Sequence, residues 1–221
     1  MFPFVKKNII LHPVEKKEQI IIQAFELFMK YGIKSMTMDD IAKNMSMSKK
    51  TLYQHFANKD ELVNAVMEKH LEIDQCQVKS LLSSKNNAID DLMQIATTIN
   101  ETLKRIHPSI HYDLEKYHPT AWKKFGDHKR NFIYESIKHN ITKGINEGLY
   151  REDINPEIIS MLYVSKADVI FDPIVFPPDR FSFNRVYLEM LKQHIRGIAT
   201  TKGLKYLDKK LKTIESLFYN T

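Results

Sequence analysis

The chain holds a single cysteine, Cys76, among its 221 residues, so it can form no internal disulfide. A lone thiol fits a reducing cytoplasm, and Cys76 reads as a half-buried helix thiol. No apolar run reaches the roughly 18 residues that a membrane span requires. The opening stretch, Met1–Pro13, has apolar segments too short for a signal peptide and no small-residue cleavage site after them. It reads as a loose arm carrying Lys6 and Lys7. Nucleophile elbow, phosphate loop, zinc spacing and flavin fingerprint are all missing, which leaves catalysis without candidate residues and implies no cofactor. His107, His111 and His118 invite a metal site, but Pro108 separates the first two and no cysteine or carboxylate cluster completes a ligand set. Strand alternation, internal repeats and low-complexity segments are absent as well.

What remains is an ordinary folded composition, 43% apolar and 27% charged, long enough for one large domain or two small ones. The formal net charge is +6, and residues 1–60 carry ten lysines against six acids. A basic N-terminal module fits a polyanionic partner, although charge alone does not decide for one.

Helical periodicity runs through the chain. Between Val14 and Tyr31, apolar Ile20, Ala24, Phe25, Leu27, Phe28 and Tyr31 recur at helical spacing, with Pro13 before and Gly32 after. Asn58 and Glu61 form a capping-box pair that opens a long helix to about Leu82. Further helices are expected over 88–106, over a Pro119-interrupted stretch at 109–125, and from Gly126 to Glu147. Asn155-Pro156 starts another that runs to about Phe171. The last two are expected over 183–200 and from Leu204 to Phe218. The fold class is therefore all-α, with about nine or ten helices.

The most informative stretch is 32–62. Thr37 with Asp40 three residues on is a capping-box arrangement, and Ile41, Ala42 and Met45 then share one face. Ala42 is small enough for a second helix to cross over it. Ser46 falls in the turn, and Ser48 caps a short helix whose Leu52 and Phe56, four apart, point inward. Lys49, Lys50, Thr51, Tyr53, Gln54 and His55 are left for its start and outer surface, and no acid occurs from 41 to 59. A second helix of this kind suits the major groove of DNA: Lys50 and Thr51 to reach base edges, and Lys49, Tyr53 and His55 to grip phosphates. Thr37, Ser48 and Lys59 support them from neighbouring helix starts.

Taken together, Gly32, Thr37, Ile41, Ala42, Ser48, Lys49, Thr51, Leu52, Tyr53, His55, Phe56, Lys59 and Leu62 resemble the DNA-binding domain of the tetracycline-repressor (TetR) family of bacterial transcriptional regulators. Ser46 stands where that family usually has a turn glycine, and Lys50 where it often has a small residue. The resemblance implies a helix-turn-helix domain over 14–60 and an effector-binding and dimerisation domain over 61–221. It implies a homodimer paired through helices near 156–171 and 183–200, binding a pseudo-palindromic operator. It further implies release by a small-molecule effector held among the helices after residue 85. Tyr112, Tyr117, Trp122, Phe125, Phe132, Tyr163 and Phe171 are the aromatic candidates for that pocket. The alternative is a helical small-molecule-binding protein whose DNA head has lost its function.

Overall fold

Side-chain caps start several helices where the sequence places them. Thr37 and Asp40 close a full capping box: the Asp40 N–H donates to Thr37 Oγ1 at 3.1 Å and the Thr37 N–H to Asp40 Oδ2 at 3.0 Å. Asn87 Oδ1 accepts the Asp90 N–H at 3.0 Å, and Asn155 Oδ1 accepts from Glu157 and Ile158. Asn58 Oδ1 likewise accepts the Glu61 N–H at 2.9 Å. The Glu61 carboxylate, however, takes the Ala57 N–H at 2.7 Å rather than closing the box on Asn58.

The computed structural model describes residues 15–83, 85–104, 106–170, 172, 174–177 and 179–219, without the side chains of Leu103 and 214–219. The expected arm with Lys6 and Lys7, the helix-opening Pro13 and the pocket candidate Phe171 lie outside the described residues. In order the helices are α1 (Lys16–Tyr31), α2 (Met38–Asn44), α3 (Lys49–His55), α4 (Lys59–Leu82), α5 (Ala88–Leu103), α6 (Ile110–Tyr117) and α7 (Pro119–His128). A π-helical turn, Lys129–Ile133, follows, then α8 (Tyr134–Asn146), α9 (Pro156–Ile170), α10 (Phe183–Ile198) and α11 (Thr201–Tyr219). The fold is all-α. The isolated bridge between Tyr150 and Ala199 is the extended pairing among the described residues.

Pro119 stands at the first position of α7, where its missing N–H costs nothing. The expected break at Gly126 does not occur: α7, the π turn and α8 run on without interruption. A glycine inside a helix costs only about 1 kcal/mol, which packing overrides.

The chain forms two compact units. The first comprises Met1–Lys69 and His107–His118, so its edge is at residue 69 rather than 60, and α6 belongs to it. Its core is Ile20, Ala24 and Phe28 of α1, Ile41 and Ala42 of α2, Leu52 of α3, and Leu62, Val63 and Val66 of α4, with Ile110 and Leu114 of α6 also buried. Phe56, just after α3, is 1% exposed. Tyr31, on the expected apolar face of α1, is exposed.

The second unit comprises His70–Ile106 and Pro119–Thr221. Ile89, Leu92 and Met93 of α5, Ile137 and Ile141 of α8, Leu188, Leu191 and Ile195 of α10, and Leu207 and Leu211 of α11 build its core around Tyr150. The two helices expected to pair with a second chain differ in character. Along α9, Ile158, Met161, Leu162 and Val169 are exposed. The outward stripe of α10 is Arg185, Glu189, Gln193 and Arg196, because its apolar residues are spent on the core. Cys76 is exposed on α4 and not half-buried, since it falls on the helix's outer face.

Two glycines admit close approach. The Tyr150 ring lies where a Cβ on Gly144 would stand, 2.1 Å away, and a Cβ on Gly203 would meet the Leu149 carbonyl oxygen at 2.1 Å. Backbone cannot step aside as a side chain can. Gly203→Ala is therefore expected to cost about 1–3 kcal/mol, the usual range for overpacking. Gly126→Ala, whose Cβ would meet only the mobile end of Arg130 at 3.2 Å, should gain up to about 1 kcal/mol. Thermal melts of both variants beside the wild type check this; an unchanged midpoint for Gly203→Ala would contradict the packing.

Candidate nucleic-acid interface and effector region

The turn between α2 and α3 is built on Ser46, which has φ +51° and is the non-glycine residue with positive φ among those described. This left-handed conformation is what a family glycine would supply freely, and a serine holds it at a cost of roughly 1 kcal/mol. The Met47 N–H reaches back to the Ala42 carbonyl at 3.0 Å and fixes the crossing of the two helices.

Ser48 Oγ accepts the Thr51 N–H at 3.1 Å and lies 2.8 Å from Thr51 Oγ1. The two hydroxyls thus satisfy each other at the start of α3. With Leu52 and Phe56 buried, helical geometry turns Lys50, Tyr53 and Gln54, at spacings of three and four, outward as one stripe. Tyr53 is 47% exposed. Thr51 and His55 flank this stripe half-buried. Gln54 was not among the residues expected to touch DNA, yet it stands fully in the stripe; its amide is the type that pairs bidentately with adenine.

Two expected contacts have intramolecular partners. Lys49 ion-pairs with Asp39 of α2, both side chains more than half exposed. An exposed pair of this kind is worth about 0–1 kcal/mol, so a phosphate can compete for the ammonium. Lys59, in the first turn of α4, is half-buried and its Nζ donates to the Lys34 carbonyl at 3.5 Å. Burial pulls its pKa below the ordinary lysine value, with Asp113 and Asp60 opposing that shift. Thr37 is exposed at the start of α2, its hydroxyl bonded to Asp40.

Residues 20–66, which take in most of α1, all of α2 and α3 and the first turns of α4, match the family model for bacterial regulatory proteins of the tetR family. These residues form a DNA-binding domain of the TetR type. It is 26% identical over 159 residues, 71% of this chain and 81% of the other, to the HTH-type transcriptional regulator YvaF of Bacillus subtilis. It is 20% identical to the HTH-type transcriptional repressor KstR2 of Mycobacterium tuberculosis, over 65% of this chain and 74% of that one. In fold it is similar to the regulator FadR of Bacillus subtilis, solved with stearoyl-CoA, at 17% identity and a TM-score of 0.63 over 83% of this chain and all of that one.

The aromatic residues expected to line an effector pocket do not form one group. Tyr112 and Tyr117 belong to the first unit and are exposed, on the outer face of α6 whose inner face is Ile110, Asp113 and Leu114. The others described fall into three clusters of the second unit. Trp122 and Phe125 lie 5.7 Å apart, with the buried Lys129 ammonium 5.6 and 4.9 Å from their centroids and ion-paired to Asp168. Phe132 lies 5.1 Å from the ring of His128, whose Nε2 is 3.2 Å from Asp74. Tyr163 meets His194 edge-on at 4.9 Å, and its hydroxyl lies 3.4 Å from that of Tyr187. An open depression of about 470 Å³ borders Leu82, His139, Thr142, Lys143, Asn146 and Glu147, none of them pocket candidates.

Burial pushes the His194 imidazole down to about 4, reinforced by the Lys166 charge, so the ring is neutral at physiological pH. Its buried Nε2 has no hydrogen-bond partner among the described residues. Burial likewise raises the Tyr163 and Tyr187 hydroxyls and lowers His70. Sequence reading assigned no site role to His128, Lys129, Tyr187 or His194. The available signal is helical spacing, which sets His194 on one face with Tyr187, Leu191 and Ile198. Two of the three histidines weighed as metal ligands lie against other groups. His107 Nδ1 is 3.0 Å from Ser109 Oγ, and His118 Nδ1 is 2.5 Å from Asp60 Oδ1.

Ser46→Gly relieves the left-handed strain in the turn, less the entropy that glycine adds to the unfolded chain. The expected gain is up to about 1 kcal/mol. A chemical-denaturation midpoint at or below that of the wild type would show that the strain at Ser46 does not exceed this entropy.

Proposed function

We propose that the protein is a homodimeric repressor that leaves a pseudo-palindromic operator when its second unit takes up a small molecule. The observation that carries the DNA reading is the outward stripe Lys50–Tyr53–Gln54 on a helix capped by Ser48 and crossed over Ala42. A helix so oriented offers amine, phenol and amide groups to base edges and phosphates, with Lys49, Thr51 and His55 on its flanks. Thr37 and Lys59 stand at adjoining helix starts as supporting phosphate contacts. The compact units support a DNA-binding head and an effector-binding body, the latter using the clusters around Trp122, Phe132 and Tyr163. On this reading the protein is cytoplasmic and acts by binding rather than by turnover, which the relatives named as transcriptional regulators support.

Dimerisation is supported by α9. Ile158, Met161, Leu162 and Val169, between 48% and 59% exposed, make an apolar stripe that water does not favour. Pairing two such stripes sets two heads one helical turn apart, about 34 Å, on successive major grooves. Effector and operator then oppose each other through a coupling free energy, each weakening the other by the same factor. Repressors in this class block polymerase, and the KstR2 relative is named a repressor.

Binding to labelled DNA from immediately upstream of the gene, against scrambled DNA across a salt series, tests the central reading. Preference for the native fragment, a steep salt slope and loss of both in Tyr53→Ala with an unchanged melt are expected. Absence of binding at low salt would favour a ligand-binding protein with a non-functional head. For the dimer, Leu162→Glu should convert the sedimenting species to monomer. A dimer that survives this change does not use α9.

A further inference from the structure

We infer that α6 adds a second phosphate-gripping surface to the DNA-binding head, formed by Lys34 and Lys116 on the rings of Tyr112 and Tyr117. This inference rests on the DNA-binding reading of α3. All four residues belong to the first compact unit and all four are exposed.

The ammonium groups are held in place. Lys34 Nζ sits 5.0 Å from the centroid of the Tyr117 ring. Lys116 Nζ lies 5.0 and 5.6 Å from those of Tyr112 and Tyr117, and donates to the Tyr112 hydroxyl at 2.5 Å. The two rings pack edge to face at 6.3 Å. Lysine side chains on a surface normally sweep many rotamers, and ordering one for a phosphate costs entropy. Here two aromatic faces restrict both lysines before any ligand arrives, while leaving their charges in water.

The patch is continuous with the proposed DNA surface. Lys34 precedes the Thr37 cap of α2 by three residues, and its carbonyl accepts from Lys59 at the start of α4. His118, just past α6, bonds to Asp60 at that same helix start. The C-terminal end of α6 therefore adjoins the junction where α3 gives way to α4. The nearby acids are engaged or turned away. Asp113 is buried and accepts from the Lys34 N–H and the Ser109 hydroxyl; Asp60 faces His118. Glu115, exposed on α6, is the remaining negative group. Interleaved lysine and tyrosine on a convex helix suit the sugar–phosphate backbone of a duplex, where contacts position the protein without reading sequence.

The test is the salt dependence of binding to the same upstream duplex for wild type, Lys34→Gln and Lys116→Gln. Both positions are solvent-exposed, and a thermal melt confirms that each variant is folded. Each lost phosphate contact lowers the slope of log K against log salt by about 0.9, hence by about 1.8 for a dimer. Between about 50 and 200 mM salt the wild type should accordingly lose about tenfold more affinity than either variant. Native and scrambled duplexes should be weakened alike. Parallel salt plots for all three proteins overturn the inference, as does a selective loss of preference for the native duplex with the slope intact. That second outcome would mean that α6 acts by orienting α3. If the wild type itself binds no duplex, the DNA-binding reading falls and takes this surface with it.

Discussion

A buried carboxylate holds the first unit together in its present extent. Asp113 is 2% exposed and accepts the Lys34 N–H at 2.9 Å across 79 positions of sequence. An ionised group out of water is tolerated only when its lone pairs are met. The Ser109 hydroxyl at 2.9 Å meets one, and Lys59 supplies opposite charge. Around this centre the other long-range bonds close: the His107 N–H to the Met29 carbonyl at 2.8 Å, and His118 to Asp60. Gly32, with φ +81°, is packed so closely there that a Cβ would stand 2.7 Å from Ser109 Oγ. Removing the carboxylate would leave the Lys34 N–H and the Ser109 hydroxyl without their acceptor and α6 without its anchor.

That bond also explains how much was legible in the sequence. The helix-turn-helix was readable because its determinants are local. Thr37 and Asp40 lie three apart, Leu52 and Phe56 four apart, and the left-handed turn falls on one residue, Ser46. The membership of α6 in the same unit is fixed by partners that no periodicity connects. Tyr112 and Tyr117 became pocket candidates because the family resemblance implies an effector site after residue 85, whereas the two turns of α6 bury Ile110, Asp113 and Leu114 and leave both tyrosines outside.

Charge behaved in the same way. Ten lysines against six acids in residues 1–60 suggested a strongly basic head. Over the compact unit, Met1–Lys69 with His107–His118, the count is 12 lysines against 10 acids. Any affinity for a polyanion thus depends on where charges stand rather than on their sum. Asp113 is buried, Glu18 pairs with Lys69, and Asp40 is consumed by the Thr37 cap, which lowers its pKa first through the hydroxyl and then through the N–H. Lys50 of α3 and the tyrosine-stacked Lys34 and Lys116 stand outward, as do Lys16, Lys17 and Lys43.

The π turn at Lys129–Ile133 bears on the helix boundary expected at Gly126. A π turn holds one residue more than an α turn and so slips the helical phase by about 100°. In an unbroken α-helix Ala121 and Ile137, both buried, would point about 160° apart; with one residue looped out of phase they are about 60° apart. The two apolar stripes of this long rod were written in different registers, which is why a 3.6-residue template broke it at Gly126. The extra residue brings the stripes to nearly one side. Deleting one residue between 129 and 133 would therefore restore regular helix with the stripes still about 60° apart, whereas winding all five residues into α-helix would set one stripe against solvent.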